Sequence, residues 1–384
     1  MGCGTSSAVG EKDAVFDLTE ALYNKDKNQP TGLLAGHIDE VASRKTRELI
    51  IAQNKLTSIP SGLGKITSLT SLDCRENLLA ELPSDLHLLA GLTHLNASDN
   101  KIKKLPDEIG GLGELQVLYL YKNELAELPD SIGQLRSIRE INVFNNKIIR
   151  LPASISNLAR LTELNAADNK LKTMPNIDGL TSLRRLAIFH NNIVMLPSLK
   201  SLGQIQKLEL YRNQMDALPG FGEFFAMDEF SCSSNRLKEL PAQIGTYQCL
   251  EVVEASKNML EKVPESLADL PKLWKLMLAS NQLSEFPVFL CKLPALKTLD
   301  LQANQLTTIP EEFKALEGSL SIILLSGNMI ADVPKFFVDG FPQIKRLTID
   351  GNPINWENVG NITVHEQIIK RFETIKGGRF IGAQ

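Results

Sequence analysis

Met1-Gly2-Cys3-Gly4-Thr5-Ser6 places a glycine at position 2, a cysteine beside it and a hydroxyl at position 6. That is the acceptor pattern for N-terminal myristoyl transfer, and Cys3 is placed to take a second, palmitoyl chain. A single myristoyl chain holds a membrane only marginally, so stable attachment needs a second signal. The following Glu11, Lys12, Asp13 and Asp17 supply no polybasic patch, which leaves Cys3 as that signal. Gly2 and Cys3 are therefore the expected acylation sites, in a disordered tail over residues 1–12. The other reading is a tail that is never modified.

Catalytic and metal chemistry have weaker candidates. Glu76 and Asp99 fall 23 residues apart, at equivalent places in successive copies of a repeat, and a carboxylate pair can hydrolyse glycosides. Lys122 continues the same column, so a solvated charge ladder is the expected arrangement. His94 and His190 lie four repeats apart, ~19 Å at the spacing of neighbouring strands, too far to share a metal. Cys74 and Cys232 stand where other copies have core leucines, and read as small buried hydrophobes. The chain contains no GxxxxGK[ST] phosphate loop and no GxSxG elbow. No catalytic residue, cofactor or metal is expected, and the chain does not read as an enzyme.

All of these residues are positioned by one repeated string, LxxLxLxxNxLxxLP. Its asparagine recurs from Asn54, Asn77 and Asn100 onward to Asn352, fourteen times in all. The spacing is 23 or 24 residues except between Asn169 and Asn235, where three successive spacings are 22. A period of this length with this pattern predicts an α/β leucine-rich repeat solenoid with a parallel sheet on its concave face. Alternating leucines point inward from a short strand and the residues between them point outward. The asparagine leaves the strand where its amide can pair backbone groups that the turn would otherwise bury unpaired. No copy closes a core alone, so residues 46–355 should form one stacked array.

The ends depart from the pattern. Val15, Leu18 and Leu22 have helical spacing and suggest a short capping helix within a cap over residues 13–45. Residues 33–45 resemble a degenerate half-repeat. At the other end Thr363-Val364-His365-Glu366 is a capping box followed by Ile368, Ile369, Phe372 and Ile375 at helical spacing. A helix over 364–376 is expected, within a C-terminal cap and tail over 356–384.

With the register fixed, the outward residues can be read in columns. Tyr119, Tyr121, Phe144, Phe189 and Tyr211 bring the aromatics together in repeats four to eight. Beside them lie Lys122, Arg184, Arg185, His190, Lys207 and Arg212, and then the acidic Asp228, Glu229, Glu251 and Glu254. Aromatic and arginine enrichment marks protein–protein hot spots. The alternative is that neighbouring rings only stack on one another and stiffen the sheet. The 22-residue repeats, which include PNIDGLTSL and PGFGEFFAM, fall in the same region, where local curvature should change.

Composition sets outer limits. A net charge of −4 gives no global drive toward nucleic acid. No stretch approaches 18 consecutive apolar residues, and the N-terminus has no secretory pattern. The five cysteines form no CxxC pair, which fits a reducing compartment.

The stretches LAELPDSIGQLRSI, RELIIAQNKLTSIP and IDGNPINWENVGNITVHEQIIKRFETI resemble the cytosolic LxxLP (Ras-group) leucine-rich repeat proteins, and within them the leucine-rich repeat-containing protein 40 group. The resemblance covers roughly residues 18–376. It implies a cytosolic, non-enzymatic scaffold that binds another protein, with a suggested place in small-GTPase or phosphatase signalling; a monomer is expected. Together with Gly2 and Cys3 it predicts a location at the cytoplasmic face of a membrane. The alternatives are a soluble regulatory subunit and a cytoskeletal or flagellar structural protein.

Overall fold

A computed structural model describes residues 15–18, 23–24, 29–30, 33–334, 336, 341, 343–354 and 379–381. Gly2 and Cys3 lie outside them, as does the helix expected over 364–376. The chain divides into two compact units, Met1–Leu183 and Arg184–Gln384.

In the first unit the strands Glu48–Ile50, Ser71–Asp73, His94–Asn96, Val117–Tyr119, Glu140–Asn142 and Glu163–Asn165 run parallel, each paired one repeat on. Their central residues Leu49, Leu72, Leu95, Leu118, Ile141 and Leu164 are buried. On the opposite side the LP pair leads into short 3-10 turns, among them Asp107–Gly111, Asp130–Gln134 and Ala153–Asn157. The proline ahead of each turn has an extended backbone, as at Pro129 with φ −70° and ψ 153°. Proline suits that position because its fixed φ is already correct and its missing N–H would go unused. Glycine in the IG pair is required by close approach: a Cβ on Gly133 would lie 2.4 Å from the Ser154 carbonyl oxygen.

The second unit repeats the plan. Its parallel strands run from Arg185–Ala187 and Lys207–Glu209 through Glu229–Ser231, Val252–Glu254, Lys275–Met277, Thr298–Asp300 and Ile322–Leu324 to Arg346–Thr348. Arg379–Ile381 pairs parallel with Arg346–Thr348 and adds a strand within the predicted C-terminal tail. The 3-10 turns return at Ala242–Thr246 and continue to Glu311–Leu316. Between Asn191 and Asn235 the convex segments form turns without a 3-10 helix. The residue missing from these shorter repeats is thus taken from that turn. Phe221, Phe224 and Phe230 fill the core there, and Phe224 lies 5.4 Å from the Tyr247 ring.

The asparagines do what their spacing predicts. Asn146 Nδ2 donates to Leu120 O at 2.9 Å and to Val143 O at 3.1 Å, and its Oδ1 accepts from Leu125 N–H at 3.0 Å. One buried amide thereby ties two repeats together. The same pattern holds in the second unit, for example at Asn304. The residue before each asparagine turns left-handed, with φ 53° at Lys122, 53° at Asn145 and 51° at Ala303. This turn aims its carbonyl at the neighbouring copy: Asn123 N–H donates to Asn145 O at 3.3 Å.

The N-terminal expectation needs correction. Val15–Asp17 is a strand, parallel to Glu48–Ile50 with Phe16 opposite Leu49. The helix is Leu33–Ser43, where a half-repeat was expected, and it buries Ile38 and Val41. The first repeat strand has an edge of unpaired backbone groups, and an added strand satisfies them as a helix cannot.

Candidate protein-binding face

Tyr119 ends the strand Val117–Tyr119, and Tyr121, Lys122 and Phe144 lie just past their strands, held in register by Asp99 N–H donating to Tyr121 O and Lys122 N–H to Phe144 O, each at 2.8 Å. Tyr119 and Tyr121 are half-buried, with ring centroids 6.4 Å apart and planes tilted by 52°. The Tyr119 hydroxyl donates to Glu140 Oε2 at 2.7 Å on the next strand. Burial first, then the bond to Glu140 and the nearby negative charge, push the Tyr119 phenol up to about 12. Phe144 is half-buried and its N–H donates to Asn142 Oδ1 at 3.0 Å. Lys122 is exposed and reaches Asp99 Oδ2 at 3.4 Å. Glu76 accepts from Gln53 Nε2 at 3.0 Å. The column of Glu76, Asp99 and Lys122 is therefore a charge ladder, as its spacing implied.

In the second unit Phe189 and Tyr211 stack with centroids 4.4 Å apart and planes 8° from parallel. Arg185 Nε donates to Glu209 Oε2 at 2.8 Å, and Lys207 Nζ to Glu229 Oε2 at 2.8 Å. Burial and then the Glu209 charge raise the Tyr211 phenol above its ordinary value. The bond to Glu229 raises Lys207 likewise. Arg184, His190 and Arg212 are exposed, the last two at left-handed positions with φ 53° and 54°. Column reading had placed the cations beside the rings but had not paired them. Arg185 and Lys207 are neutralised by carboxylates one repeat away.

The predicted strip therefore divides into a Tyr119, Tyr121, Lys122 and Phe144 set on the first unit and an Arg184, Arg185, Phe189, His190, Tyr211 and Arg212 set on the second. Tyr119 lies against Tyr121 and Phe189 against Tyr211, and each ring keeps part of its surface open.

Cys74 and Cys232 are buried in core positions, and burial pushes both thiols well above the ordinary range. Among the described residues no group of three His, Cys, Asp or Glu is arranged to hold a metal ion. Among the described residues no helix is long and apolar enough to cross a membrane.

Residues 86–232 match the family described as leucine-rich repeat region, and residues 295–316 match the leucine-rich repeat itself. No curated protein matches the chain significantly. Among solved structures, a leucine-rich repeat protein of Leptospira interrogans is 26% identical over 97% of both chains, with a TM-score of 0.78. The functional domain of InlJ from Listeria monocytogenes is 22% identical over 88% of this chain and 68% of its own, with a TM-score of 0.71. The Arabidopsis receptor kinase HAESA, in complex with the peptide hormone IDA and the co-receptor SERK1, is 24% identical over 91% of this chain and 60% of its own, with a TM-score of 0.72. By fold the chain is a leucine-rich repeat solenoid, and that fold serves generally as a scaffold for protein interaction.

Proposed function

We propose that the protein is a non-enzymatic adaptor that binds another protein on its outward sheet surface and is tethered to a membrane through acylated Gly2 and Cys3. The observation that carries the binding half is the Phe189–Tyr211 stack. Two large rings sit two residues past the strands Arg185–Ala187 and Lys207–Glu209, near Arg185, with part of their area unburied. Rigid aromatic area beside arginine is the composition of an interface centre. Tyr119, Tyr121 and Phe144 supply the same kind of surface on the first unit. The plant receptor kinase HAESA, similar in fold, is held in complex with a peptide hormone and a co-receptor.

The membrane half rests on the Gly2, Cys3 and Ser6 pattern. The resemblance to cytosolic LxxLP proteins supports a cytoplasmic location and a role in signalling.

Two experiments separate this reading from its rivals. Proximity labelling compares the wild type with Phe189→Ala/Tyr211→Ala and with Tyr121→Ala/Phe144→Ala. Loss of a common set of neighbours is expected, and an unchanged set overturns the surface assignment. Fractionation of Gly2→Ala tests the tether. The variant should move to the soluble fraction. A wild type that is already soluble in its native cell points instead to a soluble regulatory subunit.

A further inference from the structure

The loop edge of the first unit carries a pattern that protein binding does not use. After each ladder asparagine the residues one and three places on point outward, with a core residue between them. Lys101 and Lys103 flank the buried Ile102, and Lys104 follows. Lys147 precedes the buried Ile148, and Arg150 follows it by two. Lys170 and Lys172 flank the buried Leu171. All of these cations are exposed. Backbone bonds hold the rows in register: Lys101 N–H donates to Leu79 O, Lys147 N–H to Leu125 O and Lys170 N–H to Ile148 O, each at 2.9 Å. Successive rows therefore stand ~4.8 Å apart.

Carboxylates on this edge are fewer, and two are already engaged. Glu124 Oε2 takes Lys147 Nζ at 2.9 Å, and Glu127 Oε2 takes Arg150 at 3.4 Å. The Glu124 carboxyl is held below its ordinary value by Lys147 first, with Lys101 and Lys103 adding to the pull. Those ammonium groups thus share one local field. Among the described residues Lys103, Lys104, Lys170 and Lys172 reach no carboxylate at ion-pair distance.

Two aliphatic side chains lie on the same edge and stay in water. Leu78, one place after Asn77, is 44% exposed, and Ile149, three places after Asn146, is 52% exposed. A phosphodiester backbone offers nothing to an exposed leucine or isoleucine. An anionic bilayer takes both kinds of group, ammonium at the headgroups and aliphatic carbon at the acyl boundary.

We propose that this edge, from Leu78 to Lys172, docks on an anionic phospholipid surface. The choice of a bilayer as occupant rests on the acyl-tether reading of Gly2 and Cys3, to which it adds an electrostatic contact that the N-terminal tail lacks. Lysines near such a surface each strengthen binding by roughly fivefold, and salt weakens the attraction over a Debye length.

The test uses the full chain produced without acyl groups, so that failure of the tether and failure of the edge are read separately. Co-sedimentation is measured with vesicles of phosphatidylcholine alone and of equimolar phosphatidylcholine and phosphatidylserine, and with an RNA homopolymer as competitor. Binding to the anionic vesicles only is expected, falling with salt. Lys103→Ala/Lys170→Ala/Lys172→Ala should weaken it by roughly a hundredfold, and Ile149→Ser should weaken it further without changing RNA affinity. All four positions are exposed, and thermal melts of the variants check that folding is intact. Equal binding to both vesicles, no binding at low salt, or unchanged binding by the triple variant overturns the proposal. So does tighter binding to RNA with Ile149→Ser indistinguishable from wild type.

Discussion

Phe189 and Tyr211 lie one repeat apart at the same column position, with ring centroids separated by 4.4 Å and planes 8° from parallel. Their contact has two possible uses, stiffening the sheet or presenting a surface, and the two differ in what a truncation does. Phe189→Ala should cost about 1 kcal/mol of stability from the ring pair, read by urea denaturation. A double cycle with Tyr211→Ala should recover a coupling of similar size. If the rings serve a partner, capture falls by far more than that loss of stability explains. If capture survives while stability drops, the stack is structural.

The ladder asparagines lead to a stronger expectation. Asn146 satisfies two buried carbonyls and one buried N–H across two repeats. Asn146→Ala leaves the Leu125 N–H unpaired, while Leu120 O keeps its bond from Asn123 and Val143 O its bond from Asn169, and a buried unpaired group costs about 1–3 kcal/mol. A loss of about 1–3 kcal/mol is expected in chemical denaturation. Asn146→Asp should fare no better, because a carboxylate accepts and cannot donate to Leu120 O or Val143 O. An exposed neighbour, Lys147→Ala, serves as the control and should change stability by well under 1 kcal/mol.

How much of this was legible in the sequence depends on whether a residue answers to the period. Leu118, Asn123 and Pro129 do, and the strand, the ladder bond and the turn all lie where their spacing puts them. Val15–Asp17 does not. A three-residue strand is too short for alternation to show against the helical spacing of Val15, Leu18 and Leu22. It forms because the edge of Glu48–Ile50 needs a partner, which no local pattern records. Leu33–Ser43 had a readable signal in Ile38 and Val41, three apart, weakened by Gly36 within it. The Arg185–Glu209 pair was missed for another reason. Reading down columns compares equivalent positions, whereas this contact runs diagonally, since Arg185 is in register with Lys207.

Left-handed positions give a test that involves backbone alone. Ala303 has φ 51°, and its equivalents in the next two repeats are Gly327 and Gly351, at 66° and 68°. An L side chain in this region costs roughly 1–2 kcal/mol, partly offset by the greater unfolded-state entropy of glycine. Ala303→Gly should therefore stabilise by a few tenths to about 1 kcal/mol. Gly327→Ala should destabilise by a similar amount. A Cβ there would meet nothing closer than 3.7 Å, so packing does not contribute. Thermal melts of the two single variants decide the matter, and shifts of the same sign would contradict it.

Tyr119 makes the alkaline limit of stability specific. Its phenol is raised to about 12 from an ordinary value of 10.0, by burial and by Glu140. Below pH 10 the folded and unfolded chains both keep the proton, and the contribution to stability is complete. Between 10 and about 12 the unfolded chain releases it while the folded chain holds it, so unfolding gains as pH rises. Stability should thus fall through that window and not on the acid side. Glu140→Gln keeps an acceptor for the hydroxyl but removes the charge, and should bring the Tyr119 ionisation down. Tyr247, also raised to about 12 but by burial alone, is the internal reference. Phenolate absorbance followed during an alkaline titration reads both. The Glu140→Gln trace should lose part of its late phase and keep the part that belongs to Tyr247. If the late phase is unaltered, Glu140 has no hold on Tyr119, and the cross-strand bond contributes nothing to the alkaline limit.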